Sequence, residues 1–134
     1  MRAWLGASLG VLLLAGCAQD GSGLVRVRGT LKYEDGTPVT GELATIVFQP
    51  DTNKRPVPPK SASGTIGPDG SFELMTQEPG DGAHPGTYKV VLKVWENYRE
   101  QEPGVDQQYA DARTTPLDAT VSPDSKQFDF VIQR

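Results

Sequence analysis

One histidine and one cysteine are all that 134 residues supply, and those two scarcities exclude a good deal. With Cys17 alone, no intramolecular disulfide can form. With His84 alone, the multi-histidine or cysteine sets that hold transition metals are missing, and no metal or other cofactor is expected. No Gly-x-Ser-x-Gly elbow occurs to present a serine nucleophile. Basic residues number 13 against 17 acidic, a net charge of −4, which argues against nucleic acid and anionic lipid as partners. The apolar run from Ala3 to Leu14 is too short and too abruptly ended for a membrane-spanning helix. Glycine (15) and proline (11) are plentiful instead, which favours many turns over long helices.

The longest period-two pattern runs from Gly86 to Trp95. Tyr88, Val90, Leu92 and Val94 fall on one face, with Thr87, Lys89, Val91, Lys93 and Trp95 on the other. That is the pattern of a strand with one face in a core and one largely in water. Other alternating stretches assemble around it. Val25, Val27, Gly29, Leu31 and Tyr33 share a face, as do Ala44, Ile46 and Phe48, then Ala62, Gly64 and Ile66, then Phe72 and Leu74. Leu117, Ala119 and Val121, and finally Phe128, Phe130 and Ile132, complete the set.

Asp35-Gly36 reads as a turn of the favoured hairpin kind, because glycine accepts positive φ, and Gly67-Pro68-Asp69-Gly70 turns the chain again. Pro50 to Lys60 carries four prolines and reads as a surface loop or edge excursion, since proline has no donor for a ladder. Residues 96–116 form the longest irregular segment, with one helical turn expected near Asp106 to Ala112. Seven short strands and no convincing helix predict an all-β sandwich.

The N-terminus reads as an address rather than structure. Arg2 precedes the apolar run, which ends in Leu14-Ala15-Gly16-Cys17. That string resembles the lipobox of bacterial lipoproteins, in which the cysteine accepts a diacylglyceryl thioether before cleavage. The resemblance implies a signal peptide over 1–16, a lipidated Cys17 with a flexible tether over 17–23, and one domain over 24–134. Cleavage would leave 118 of the 134 residues, with charge −5 because Arg2 is lost from the 13 basic residues. Several acyl chains on one residue give stable anchoring at about 0.8 kcal/mol per buried methylene. The expected location is the bacterial cell envelope, lipid-anchored and extracytoplasmic. Ala18, standing where aspartate would favour inner-membrane retention, points to the outer membrane.

Gly29-Thr30-Leu31, Glu34-Asp35-Gly36-Thr37-Pro38-Val39 and Ala44-Thr45-Ile46-Val47-Phe48 look like the opening of carboxypeptidase regulatory-like domains. Thr65 to Phe72 resembles their second hairpin, and Pro85-Gly86-Thr87-Tyr88 their entry to the next long strand. Tyr109, Thr114-Thr115-Pro116-Leu117 and Phe128-Asp129-Phe130 resemble the closing portion in short bacterial lipoproteins of this type. The resemblance implies a seven-stranded antiparallel sandwich, a transthyretin-like or immunoglobulin-like Greek key, and a non-catalytic role. Hydroxyisourate hydrolases, similar in fold, end in Tyr-Arg-Gly-Ser and use several histidines. This chain ends Val131-Ile132-Gln133-Arg134. Intradiol dioxygenases need two histidines beside two tyrosines, and only His84 is present.

Three candidate sites remain. Trp95, Tyr98 and Tyr109 could form an aromatic platform for a sugar ring or partner protein, or else cap the core and pin the long loop. His84, near Asp81, could serve a small hydrolase if a hydroxyl joins them. Asp69, Asp81, Asp106 and Asp111 could gather around calcium, or simply serve as turn residues. The expected function is a non-catalytic binding or structural module at the envelope. It is anchored in the membrane by lipid, with an envelope protein or polysaccharide as partner and no nucleic acid. A carbohydrate-binding accessory domain and a His84 hydrolase stand as alternatives.

Overall fold

Alternation in the chain carries directly into strands. The structure is a computed structural model that describes residues 23–134. The strands are β1 Arg28–Tyr33, β2 Leu43–Pro50, β3 Ala62–Thr65, β4 Ser71–Glu73, β5 Gly86–Asn97, β6 Glu102–Pro103, β7 Asp118–Val121 and β8 Gln127–Ile132, with a 3₁₀ turn at Gln107–Ala110 between β6 and β7. They form two sheets packed face to face, an all-β sandwich. One sheet has the order β4-β1-β8. The other runs β3-β2-β5, with β6 and β7 both paired to β5.

β5 is the organising strand. Its residues Tyr88 to Trp95 pair antiparallel with β2 from Pro50 back to Leu43. Its start pairs with β7 and its end with β6. Tyr88, Val90, Leu92 and Val94 are buried, as are Val27 and Leu31 of the β1 stretch, Ile46 and Phe48 of β2, and Ile132 of β8. Phe48 sits at the centre of an aromatic cluster, with ring centroids 5.7 Å from Tyr88, 5.8 Å from Phe128, 6.1 Å from Phe130 and 6.4 Å from Phe72. Those spacings lie in the range where aromatic pairs add to simple burial.

Four expectations are corrected. There are eight strands among the described residues rather than seven, because β5 continues to Asn97 and turns back into the two-residue β6. The sandwich is not wholly antiparallel, since β1 and β8 pair parallel over six residues. The reason lies in the connections: β8 reaches the edge of β1 by crossing from the opposite sheet after Ser122–Ser125, and only a direct hairpin forces antiparallel order. Asp35-Gly36 makes its tight turn, with Gly36 at φ +84°, but the return is limited to an isolated bridge between Lys32 and Pro38. The chain then passes to β2 in the other sheet. Finally, Val91 lies on the outward face yet is only 1% exposed. Val47 stands directly across from it, and on the other edge Thr115 and Leu117 bond to Val90, so a short mid-strand side chain is covered from both sides.

The sandwich closes differently along its two sides. Where β3 meets the chain after β4, Ser63 and Met75 exchange main-chain hydrogen bonds of 2.9 and 2.7 Å, lacing the sheets together. The buried polar side chains are satisfied internally. Thr115 Oγ1 donates to the Val90 carbonyl at 2.7 Å, and Asp51 accepts from the Asn53 N–H at 3.0 Å. Leaving such groups unpaired would cost about 1–3 kcal/mol each.

Candidate functional site

The antiparallel register of β2 and β5 sets Leu43 opposite Trp95, and that of β5 and β6 sets Pro103 opposite Trp95 on its other side. Leu43 and Trp95 stand on the outward face, one residue out of phase with the buried Ala44 and Val94. Tyr98 follows in the β5–β6 turn, and its ring meets Trp95 edge-on, with centroids 6.3 Å apart and planes at 82°. Leu43 is 43% and Tyr98 58% exposed, while Trp95 is half-buried. The result is an apolar patch of four side chains at one end of the five-stranded sheet.

The turn that carries Tyr98 is held from several directions. Asn97 Oδ1 accepts from the Glu100 N–H at 3.2 Å, and the Gln101 N–H donates to the Tyr98 carbonyl at 3.3 Å. The Tyr98 N–H donates to Glu42 Oε2 at 3.2 Å, tying the turn to the segment before β2. Just beyond β6, the Gly104 N–H donates to the Val94 carbonyl and the Tyr33 hydroxyl to the Gly104 carbonyl. The aromatic pair therefore projects from a braced hairpin rather than a loose loop.

Tyr109 does not join it. It is 4% exposed, belongs to the core, and its hydroxyl accepts from the Gln133 N–H at 3.3 Å. The expected helical turn explains this. Asp106 caps the turn by accepting from the Gln108 N–H, and one short turn swings Tyr109 inward against the sandwich. A three-residue platform is thereby reduced to Trp95 and Tyr98. Leu43 and Pro103 are members that sequence reading missed, since only the pairing register brings them beside Trp95.

His84 and Asp81 make no pair. The Asp81 carboxylate accepts from the N–H groups of Thr76, Gln77 and Glu78 at 2.7 to 3.0 Å. Burial pushes its carboxyl up, but those three amides outweigh burial and hold it below the ordinary value. His84 contributes its main-chain carbonyl, which accepts from the Tyr88 hydroxyl at 2.6 Å. Among the described residues the His84 ring is joined to no carboxylate or hydroxyl, so the hydrolase constellation does not assemble.

The four aspartates considered for calcium are likewise dispersed among their own turns. Asp69 accepts from the Ser71 amide and hydroxyl, Asp106 from Gln108, and Asp111 from Arg113. No three acidic, histidine or cysteine side chains come together among the described residues.

A shallow depression of about 550 Å³ lies across the three-stranded sheet and the end of β3, lined by Arg28, Thr30, Thr65, Ser71, Glu73 and Gln127 among others. Its lining mixes polar side chains with Phe72 and glycine, and it holds no nucleophile–base pair. Leu14, Ala15, Gly16 and Cys17 lie outside the described residues, and among the described residues no helix is long and apolar enough to cross a membrane. Compared with known protein families, curated proteins and solved structures, the chain matches none.

Proposed function

We infer that this chain is a lipid-anchored, extracytoplasmic binding module of the bacterial cell envelope. Its reading is non-catalytic, with a transthyretin-like, carboxypeptidase regulatory-like Greek-key sandwich as body and a diacylated Cys17 as anchor. The observation that carries the binding role is the outward row Leu43–Trp95–Pro103 with Tyr98 against it. Rigid, partly exposed aromatic rings on a braced hairpin offer an apolar surface at little entropic cost, suited to the faces of sugar rings in an envelope polysaccharide. Consecutive strands pass between the two sheets at β1–β2, β3–β4, β4–β5 and β7–β8, a pattern that supports a Greek-key reading.

Two experiments test this. Trp95 is the only tryptophan beyond the leader, the other being Trp4. Its emission therefore reports on the patch directly in a processed chain. Titration with solubilised envelope polysaccharide is expected to shift and saturate that emission, and Tyr98→Ala to weaken binding by roughly tenfold. Unchanged emission across polysaccharide preparations would remove the carbohydrate role. Intact-mass measurement of membrane-extracted protein should show an acylated Cys17 at the new N-terminus, lost in Cys17→Ser. An unmodified chain released to the medium would sink the anchor.

A further inference from the structure

β8 is an outer strand of the three-stranded sheet and, among the described residues, pairs only with β1. The opposite edge of that sheet is laced to β3 through Ser63 and Met75, whereas among the described residues the β8 edge is closed only past its end, where the Gln133 N–H donates to the Tyr109 hydroxyl. The Arg28 N–H donates to the Lys126 carbonyl and the Glu34 N–H to the Ile132 carbonyl. Even-numbered residues of β8 thus turn their main chain toward β1, and Gln127, Asp129 and Val131 turn theirs to the open edge. Natural edges are usually guarded by proline, bulges or charge. Here the register runs unbroken for six residues without proline. The one charge, Asp129, already accepts from Thr30 Oγ1 at 2.8 Å. Val131 is 60% exposed.

We propose that β8 pairs antiparallel with β8 of a second copy of this chain, joining two three-stranded sheets into one of six strands. Side-chain chemistry selects the register. A pairing centred on Asp129 would set two carboxylates opposite one another, which destabilises a ladder. One centred on Phe130 would leave Asp129 opposite Val131. Centring on Phe128 places the amide of Gln127 opposite the partner's Asp129, where it can donate to the carboxylate oxygen that Thr30 leaves free. It also brings together two Phe128 rings, each half-buried in the single chain. The contact lies on the sheet opposite the Trp95 patch and does not depend on the binding role of that patch.

The test is the mass of the full chain, extracted from membranes and studied in detergent by sedimentation. A dimer that dissociates on dilution is expected. Gln127→Glu places like charges opposite each other twice and should raise the dissociation constant on the order of tenfold. Gln127→Pro removes an edge-facing N–H while leaving the β1 ladder whole, and should abolish the dimer with the circular dichroism spectrum unchanged. In a Cys17→Ser background, Gln127→Cys combined with Asp129→Cys should oxidise to a covalent dimer, and Gln127→Cys alone should not. A monomer at every concentration overturns the proposal, as does a dimer indifferent to both substitutions. Crosslinking through Gln127→Cys alone, or a monomer whose β8 edge instead captures an extended peptide, overturns it as well.

Discussion

Aspartate does the same thing at five turns of this chain. Asp35, Asp51, Asp69, Asp106 and Asp111 each accept a hydrogen bond from the main-chain N–H two residues on. Asp81 takes three such donors at once. Hydrogen bonding to the ionised form lowers a carboxyl pKa. The Thr37 and Ser71 side chains and amides hold Asp35 and Asp69 below 3.8, and Arg113 takes Asp111 to about 2. A depressed folded-state pKa contributes stability above the unfolded value and loses it as pH falls through the folded one. The urea midpoint should therefore hold steady down to pH near 3.8 and decline from there toward about 2. High salt should blunt the part due to exposed Arg113. Asp81→Ala should cost about 1–2 kcal/mol at neutral pH, read from the same denaturation curves.

Tyr88 runs the opposite way. It is fully buried, and desolvation pushes its phenol up to about 12. A raised pKa contributes stability that is present below the ordinary value of 10.0 and is lost as pH rises toward about 12. In ultraviolet titrations of the native chain and of Tyr88→Phe, the difference should be a phenol that ionises only toward about 12, together with unfolding, and a difference centred near 10 in the folded chain would contradict the burial of Tyr88.

Among the elements, the parallel pair β1–β8 depends on one small residue. Gly29 faces inward, and a methyl group there would overlap the Phe128 carbonyl and lie 2.8 Å from Phe72 Cζ. Neither main chain nor a packed ring yields cheaply in a dense interior. Gly29→Ala should cost about 2–3 kcal/mol and speed amide exchange along β1 and β8 more than along β5. An unchanged denaturation midpoint would show that the two strands can part. Period-two alternation revealed that Gly29 shares the face of Val27 and Leu31, but it is silent on which strand lies alongside and in which direction.

At the scale of the molecule, the two sheets meet on Phe48, which four other rings surround. Phe48→Ala should cost about 3–5 kcal/mol, a large share of the 5–15 kcal/mol typical of a domain. Calorimetry should show one transition, lowered throughout, because both sheets share this core. Two separated transitions would mean the sheets unfold independently.

Most of the inward residues were legible in the chain: Ile46, Phe48, Phe72, Leu74, Tyr88, Val90, Leu92 and Val94 announce themselves by spacing, and turns by Asp-Gly and Pro-Asp-Gly. Such signals are local, since side-chain direction in a strand and turn conformation are set within two to four residues. The partnerships were not legible. That β8 runs parallel to β1, that Leu43 and Pro103 flank Trp95, and that Tyr109 turns inward depend on residues outside the local segment, while the capture of Asp81 by Thr76, Gln77 and Glu78 is local but rests on a loop conformation that no period announces. Alternation decides which face of a strand is apolar. Only closing both sheets around one core selects neighbours, direction and register, and with them which aromatic rings stay at the surface.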